Sequence, residues 1–249
     1  MQLILQQCGD IMFSLSSVIS EILPCPGCGG NSGKKGNSLC ENCLKELEIF
    51  PDDSVFCPGC GGIMSGALAC CIQCLAEPER LWKHAFSVMP YSGMATTLIR
   101  RLKFYNSPEL ARPLGYLLAG KIRQNSISAD MIVPVPLHIT RLLKRGYNQS
   151  LLLAQIAGNE CGIPVKSVLR RKHLRSHQAG RSRADRHKEL AGSMILKNSS
   201  DIAGKNILLL DDVFTTGATL HAAVLALQKG DPASVKVITL ARTPGYSGF

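Results

Sequence analysis

Two groups of residues in this 249-residue chain have the types and spacing to do chemistry. The first is a run of cysteines. Eight of the eleven fall into four Cys-x-x-Cys pairs: Cys25 with Cys28, Cys40 with Cys43, Cys57 with Cys60, and Cys71 with Cys74. Each pair offers two thiolates from one tight turn, and a structural zinc takes four in a tetrahedron. The glycines of Cys25-Pro-Gly-Cys28-Gly-Gly and Cys57-Pro-Gly-Cys60-Gly-Gly let backbone amides approach the sulfurs. Because the unit occurs twice, two sequential sites are expected, one from Cys25, Cys28, Cys40 and Cys43 and one from Cys57, Cys60, Cys71 and Cys74. An interleaved pairing would leave the same pattern. Cys70 is an alternative to Cys71, which the repeat favours because both second halves then read Cys-x-x-Cys-Leu. Reduced cysteines without metal, or a redox Cys-x-x-Cys, are the competing readings. The module carries few large apolar side chains, so metal must supply much of its folding energy.

The second group is Ile207-Leu-Leu-Leu-Asp211-Asp212-Val213-Phe214-Thr215-Thr216-Gly217-Ala218-Thr219. An apolar strand, two acids and a small, hydroxyl-rich turn into a helix build an anion site. The amides from Thr215 to Thr219 and the positive helix end surround a phosphate, the hydroxyls add donors, and Gly217 permits close backbone approach. Asp211 and Asp212 are expected just beyond the strand's carboxyl end, where ligands of open parallel sheets bind. Carboxylates there repel a phosphate but accept hydrogen bonds from vicinal hydroxyls, so the pair of features describes a ribose 5-phosphate. An isolated Asp-Asp pair would instead read as a solvated turn or a Mg²⁺ site.

These groups need a scaffold. Beyond Trp82, short apolar runs rich in β-branched residues alternate with segments of helical spacing, the pattern of βα units around a mainly parallel sheet. Strands are expected over 85–89, 131–135, 165–169, 206–210 and 235–240, and helices over 94–104, 109–123, 148–158 and 217–229. The expected organisation is an N-terminal segment over 1–24, the cysteine module over 25–76 and an α/β domain over 77–249. Arg171 to Lys188 is charged and aperiodic, which predicts a loop. Ten of the eleven cysteines lie at or before Cys74, whereas a disulfide scaffold would spread them. Cys8 and Cys161 stand alone and read as ordinary small residues. No stretch approaches the roughly 18 to 20 apolar residues of a membrane-spanning helix. The apolar run from Ile11 to Ile19 lacks the basic flank of a secretory signal, so a cytoplasmic protein without stable membrane insertion is expected.

The strand, the twin acids and the Thr-Thr-Gly-Ala-Thr turn resemble the phosphoribosyl pyrophosphate (PRPP) motif of type I phosphoribosyltransferases. The likeness extends along the chain. The double Cys-Pro-x-Cys module, Val133-Pro-Val-Pro136-Leu137-His138, Arg145-Gly-Tyr-Asn148-Gln149, a basic loop containing Gln178 and the PRPP motif follow the order of the ComF family. That family is similar to competence proteins that act in DNA uptake and to the related GntX proteins. The resemblance implies a type I phosphoribosyltransferase-like domain, PRPP bound with Mg²⁺, structural zinc, and a link to incoming single-stranded DNA and the DNA-uptake machinery. It implies that Asp211 and Asp212 hold the ribose hydroxyls while Thr215, Thr216, Gly217, Ala218 and Thr219 hold the 5-phosphate. Leu137, His138 and Arg145, with Gln178, Arg183 and Arg186 from a covering loop, are the candidates to face pyrophosphate. It assigns no catalytic residue and no acceptor.

The formal charge of +10 is localised. Twelve Lys or Arg against Glu160 and Asp185 lie between Arg141 and Lys188, and the rest of the chain balances. Pyrophosphate with Mg²⁺ needs about two or three cationic partners. The surplus, Lys144, Arg170, Arg171, Lys172, Arg175 and Arg181, could form a groove for a single-stranded nucleic-acid backbone, with solvated loop charge as the plain alternative. Tyr147 is the segment's one aromatic residue, so binding through backbone charge with little sequence preference is expected. The cysteine module, with three lysines against five acids, suits scaffolding better than phosphate binding. Three functions follow: a PRPP-binding protein of DNA uptake, a salvage transferase whose base-recognising hood would lie within Tyr91 to Arg123, and a zinc-stabilised nucleic-acid adaptor with a vestigial PRPP pocket.

Overall fold

Parallel strands need long crossovers, and the helical segments between the apolar runs supply them. A computed structural model describes residues 24–30, 38–51, 53–64, 68–75, 80–172 and 192–244. These fall into two units, one ending at Leu47 and one beginning at Glu48. In the first, helix α1 (Glu41–Lys45) starts at Cys40, whose side chain accepts from the Cys43 amide, and Leu39 and Leu47 are buried. In the second, the one-turn helix α2 (Ile72–Leu75) carries Cys74 into the interior.

The rest of the second unit is built on β1 (Ala85–Pro90), α3 (Gly93–Phe104), a 3₁₀ turn over Pro108–Leu110, α4 (Ala111–Gln124), β2 (Met131–Pro134), α5 (Ile139–Arg145) and α6 (Gln149–Cys161). It continues through β3 (Leu169–Arg171), β4 (Met194–Leu196), β5 (Asn206–Phe214), α7 (Ala218–Gln228) and β6 (Ser234–Arg242). A four-stranded sheet has the order β1-β6-β5-β2, every pair parallel. Leu208, Leu209, Val237 and Ile238 have no more than 1% exposure, because both faces of the sheet are covered and the middle stretches of its central strands are mainly apolar. The outer edge of β1 is closed by the chain that precedes it: the Phe50 amide donates to the Val88 carbonyl and the Ala85 amide to the Pro58 carbonyl. An open strand edge is thereby covered.

Two elements differ from the sequence expectation. The strand expected over 165–169 touches the sheet through one parallel bridge, Ile132 to Val165, and the ordered strand begins only at Leu169. There it pairs antiparallel with β4 in a separate two-stranded sheet packed on α7. Strand β5 extends past Leu210 to Phe214 because β6 pairs with it along its length, so Asp211 and Asp212 lie inside the strand rather than beyond it. The loop expected over Arg171–Lys188 lies, from residue 173 onward, outside the described residues. The cysteine-based boundary near residue 76 and the packing boundary after Leu47 do not coincide, because the second cysteine group packs into the core of the larger unit.

Candidate functional site

The cysteines gather in sequential order: Cys25, Cys28, Cys40 and Cys43 in one group, Cys57, Cys60, Cys71 and Cys74 in the other, with the sulfurs of each group within 4.8 Å of one another. A tetrahedron with metal–sulfur bonds of about 2.3 Å has edges of about 3.8 Å. Sulfur separations of 3.8 Å for Cys25 and Cys43, 3.7 Å for Cys28 and Cys40, and 3.6 Å for Cys60 and Cys71 match that edge and are far too long for disulfides. Backbone amides also point at sulfur, from Cys40 to Cys25 at 3.2 Å and from Cys71 to Cys57 at 3.3 Å. Such donors stabilise thiolates bound to a metal. Both groups are therefore able to hold zinc, and Cys70 stands outside the second.

At the carboxyl end of β5, a cavity of about 300 Å³ is lined by Asp211, Asp212, Thr215 and Thr219 together with Pro136 and Leu137. Gly217 adopts φ +79° at the start of α7, which lets the chain turn from strand into helix; Thr215 and Thr219 of this turn line the cavity, and Thr216, Gly217 and Ala218 are not among its lining residues. The two acids are engaged from several directions. Ser150 donates to Asp211 at 2.9 Å, the Gln149 amide group to Asp212 at 2.6 Å, and the Lys103 ammonium pairs with Asp212 at 2.7 Å. Arg145 donates in turn to the Gln149 carbonyl oxygen.

The motif Arg145-Gly-Tyr-Asn148-Gln149 holds these parts together. The Tyr147 hydroxyl donates to the Leu102 carbonyl, fixing the end of α3 that carries Lys103. Asn148 caps α6 by accepting from the Ser150 amide, and its own side-chain amide donates to the Val135 carbonyl ahead of the Pro136–Leu137 turn. Gln149 and Ser150 thus face the acids from the first turn of α6.

Electrostatics set the cavity's acids and arginines apart. Burial pushes the Asp211 carboxyl up to about 7, the neighbouring Asp212 charge adds to this, and Lys103 opposes it. Arg145 and Arg171 have depressed values, chiefly because burial disfavours their charge; Asp212 counteracts this for the former, while for the latter Arg141 adds to it and Asp211 opposes it. Arginine stays protonated under such shifts. Arg141, Arg145 and Arg171 all line the cavity, so cationic groups share it with the two acids.

Of the expected pyrophosphate residues, Leu137 and Arg145 line the cavity. His138 caps α5 through Nδ1 and is not among the lining residues. Gln178, Arg183 and Arg186, with Arg175 and Arg181 of the expected DNA groove, lie outside the described residues. Lys144 and Arg170 are not in this cavity's lining, and Lys172 lines a separate one beside β4 and α7. The sequence alone does not single out Lys103, Arg141 or Tyr91, nor Arg80, whose guanidinium donates to the Thr216 carbonyl at 3.3 Å. Gln149 is visible in the motif, but nothing local marks it as the partner of a residue 63 positions away.

The fold and this cavity define a class that sequence comparison also identifies: residues 103–248 match the phosphoribosyl transferase domain. The chain is 32% identical to Competence protein F of Haemophilus influenzae over 88% of its own length and 96% of that protein. It is 30% identical to Competence protein ComFC of Bacillus subtilis, covering 84% of this chain and 86% of that one, and 30% identical to the DNA utilization protein YhgH of Escherichia coli K12, covering 82% and 90%. The chain belongs to the ComF family of phosphoribosyl transferase domain proteins. Among the described residues, no helix is long and apolar enough to cross a membrane.

Proposed function

We propose that the chain binds PRPP with Mg²⁺ in this cavity and acts in DNA uptake, handling incoming single-stranded DNA in the cytoplasm. One observation carries the reading: two buried carboxylates and the threonine-rich turn into α7 meet in one cavity at the carboxyl end of a parallel sheet. Asp211 and Asp212 accept from the ribose hydroxyls, exchanging present partners such as Ser150 and Gln149 for them. The Thr215–Thr219 turn takes the 5-phosphate. Arg145 and Arg171, which line the same cavity, face the pyrophosphate. Mg²⁺ fits such a site because it binds mainly through the pyrophosphate oxygens and needs few protein ligands; it would offset the charge on a departing pyrophosphate. The relatives' names, two competence proteins and a DNA utilization protein, support the DNA-uptake setting.

Thermal shift with PRPP and Mg²⁺ tests the pocket. The wild-type chain should be stabilised, and a chain carrying both Asp211→Asn and Asp212→Asn should not. No shift in the wild type would leave the adaptor reading standing. A salvage transferase is the second reading, favoured by Tyr91 and Phe104 at the cavity, where a base could stack beside the ribose. Pyrophosphate release with one member of a nucleobase panel would establish it.

A further inference from the structure

Beside the PRPP cavity lies a larger one of about 780 Å³, lined by Lys103, Phe104, Arg141, Leu143, Lys144 and Arg145 among others, none of them acidic. Lys103, Phe104, Arg141 and Arg145 line both cavities, so the two are contiguous. Two of its lining side chains stand largely in solvent, Phe104 at 68% exposure and Leu143 at 78%, and Tyr105, next to Phe104 in the chain, is 65% exposed. Among the described residues, no carboxylate lies within ion-pairing distance of Arg141, Lys144 or Arg145. Arg145 sits 5.4 Å from the Phe104 ring centroid, which fixes the ring from one side and leaves the rest of it open.

We infer that this second cavity is where single-stranded DNA is held, with one base stacked on Phe104 and the neighbouring phosphates on Arg141 and Lys144. The inference rests on the DNA-handling reading above and gives it an address. Exposed rings beside unopposed cations match a ligand that alternates flat apolar bases with anionic phosphates. A duplex offers the phosphates but hides the base faces, so the ring selects an unpaired strand. The rings come from the end of α3 and the cations from α5, which is why the basic segment read alone offers only Tyr147.

Fluorescence anisotropy with a labelled oligothymidine and the full zinc-loaded chain tests this. Phe104→Ala should weaken binding about tenfold or more, and Phe104→Tyr, which keeps a ring, should restore most of it. Changing Arg141 and Lys144 together to Gln should lower the slope of log affinity against log salt by about 1.4, the value for two single-strand phosphate contacts. Lys144→Gln alone should leave the PRPP thermal shift intact, since Lys144 does not line the PRPP cavity. If Phe104→Ala fails to fold, Leu143→Asp on the exposed rim should repel the strand instead. Wild-type affinity in all these variants would overturn the site while leaving the DNA reading in place. Equal affinity for the matching duplex would overturn the stacking, and absence of oligothymidine binding by the wild type would remove both the site and the reading.

Discussion

The two cysteine groups begin from the same six-residue turn and end in different surroundings. The first lies in the unit that ends at Leu47, with Leu39 and Leu47 as its buried neighbours. Cys57, Cys60 and Cys74 of the second belong to the same buried cluster as Trp82, Phe214 and Leu220. The Trp82 indole donates to the Gly59 carbonyl and the Ser87 hydroxyl to the Cys60 carbonyl. Gly61, at φ +68°, lies so close to the backbone of Phe86 and Ser87 that any Cβ would collide with it at 2.7 Å. A repeated ligand turn therefore specifies a metal geometry twice, while packing gives the copies different work.

Arg80 extends the second group's reach. Its guanidinium lies 4.0 Å from Cys74 sulfur, donates to the Thr216 carbonyl, and stacks near the rings of Trp82 and Phe214 at 5.4 and 5.7 Å. A metal-bound thiolate attracts this cation and so helps hold the turn that is proposed to take the 5-phosphate.

The largest expected effect comes from removing each group in turn. Zinc contributes roughly 10 to 16 kcal/mol to folding in small zinc domains, comparable to the 5–15 kcal/mol stability of a whole domain. Cys57→Ser with Cys74→Ser should abolish the cooperative melting of the larger unit and the PRPP shift together. Cys25→Ser with Cys43→Ser should leave both in place. Equal damage from the two pairs, measured by calorimetry alongside zinc content, would break the comparison.

A smaller effect is expected at Arg80. Arg80→Ala should weaken PRPP binding about tenfold in titration calorimetry, in line with a charge-assisted hydrogen bond worth about 1.5–3 kcal/mol, while zinc content stays constant. Arg80→Lys should not rescue it, because an ammonium lacks the planar fork that spans two partners and stacks on rings. Full rescue by lysine would reduce Arg80 to a point charge.

The smallest effect is a pH dependence confined to the larger unit. The Asp211 carboxyl is pushed from the ordinary aspartate range up to about 7, so between about pH 4 and 7 the folded state holds a proton that the unfolded state has lost. Stability contributed by this group is present below the unfolded value and is lost as pH rises through that window. Asp211→Asn should flatten the decline, by on the order of 1 kcal/mol or more, since each tenfold gain in proton affinity on folding corresponds to about 1.4 kcal/mol. An unchanged slope would show that Asp211 ionises as readily inside the fold as outside it.

Much of this is legible in the chain itself because it is written in short range. The Cys-x-x-Cys turns, the apolar run before Asp211 and the Thr215–Thr219 bend each need only a few consecutive residues, and local turn chemistry and periodicity are carried by consecutive residues. The helices α3, α4, α6 and α7 are marked by spacing in the same way. Only the tertiary structure decided what faced them. Lys103 reaches Asp212, Gln149 crosses 63 positions to the same acid, and Arg80 crosses 136 to Thr216. Those meetings depend on which sheet edge each crossover returns to, and burial on both faces of β5 turns a solvated acid into one that holds its proton near neutrality. The strand expected over 165–169 shows the limit from the other side: an apolar, β-branched run becomes a strand only where a neighbouring edge accepts its hydrogen bonds, and there β2 accepted one bridge.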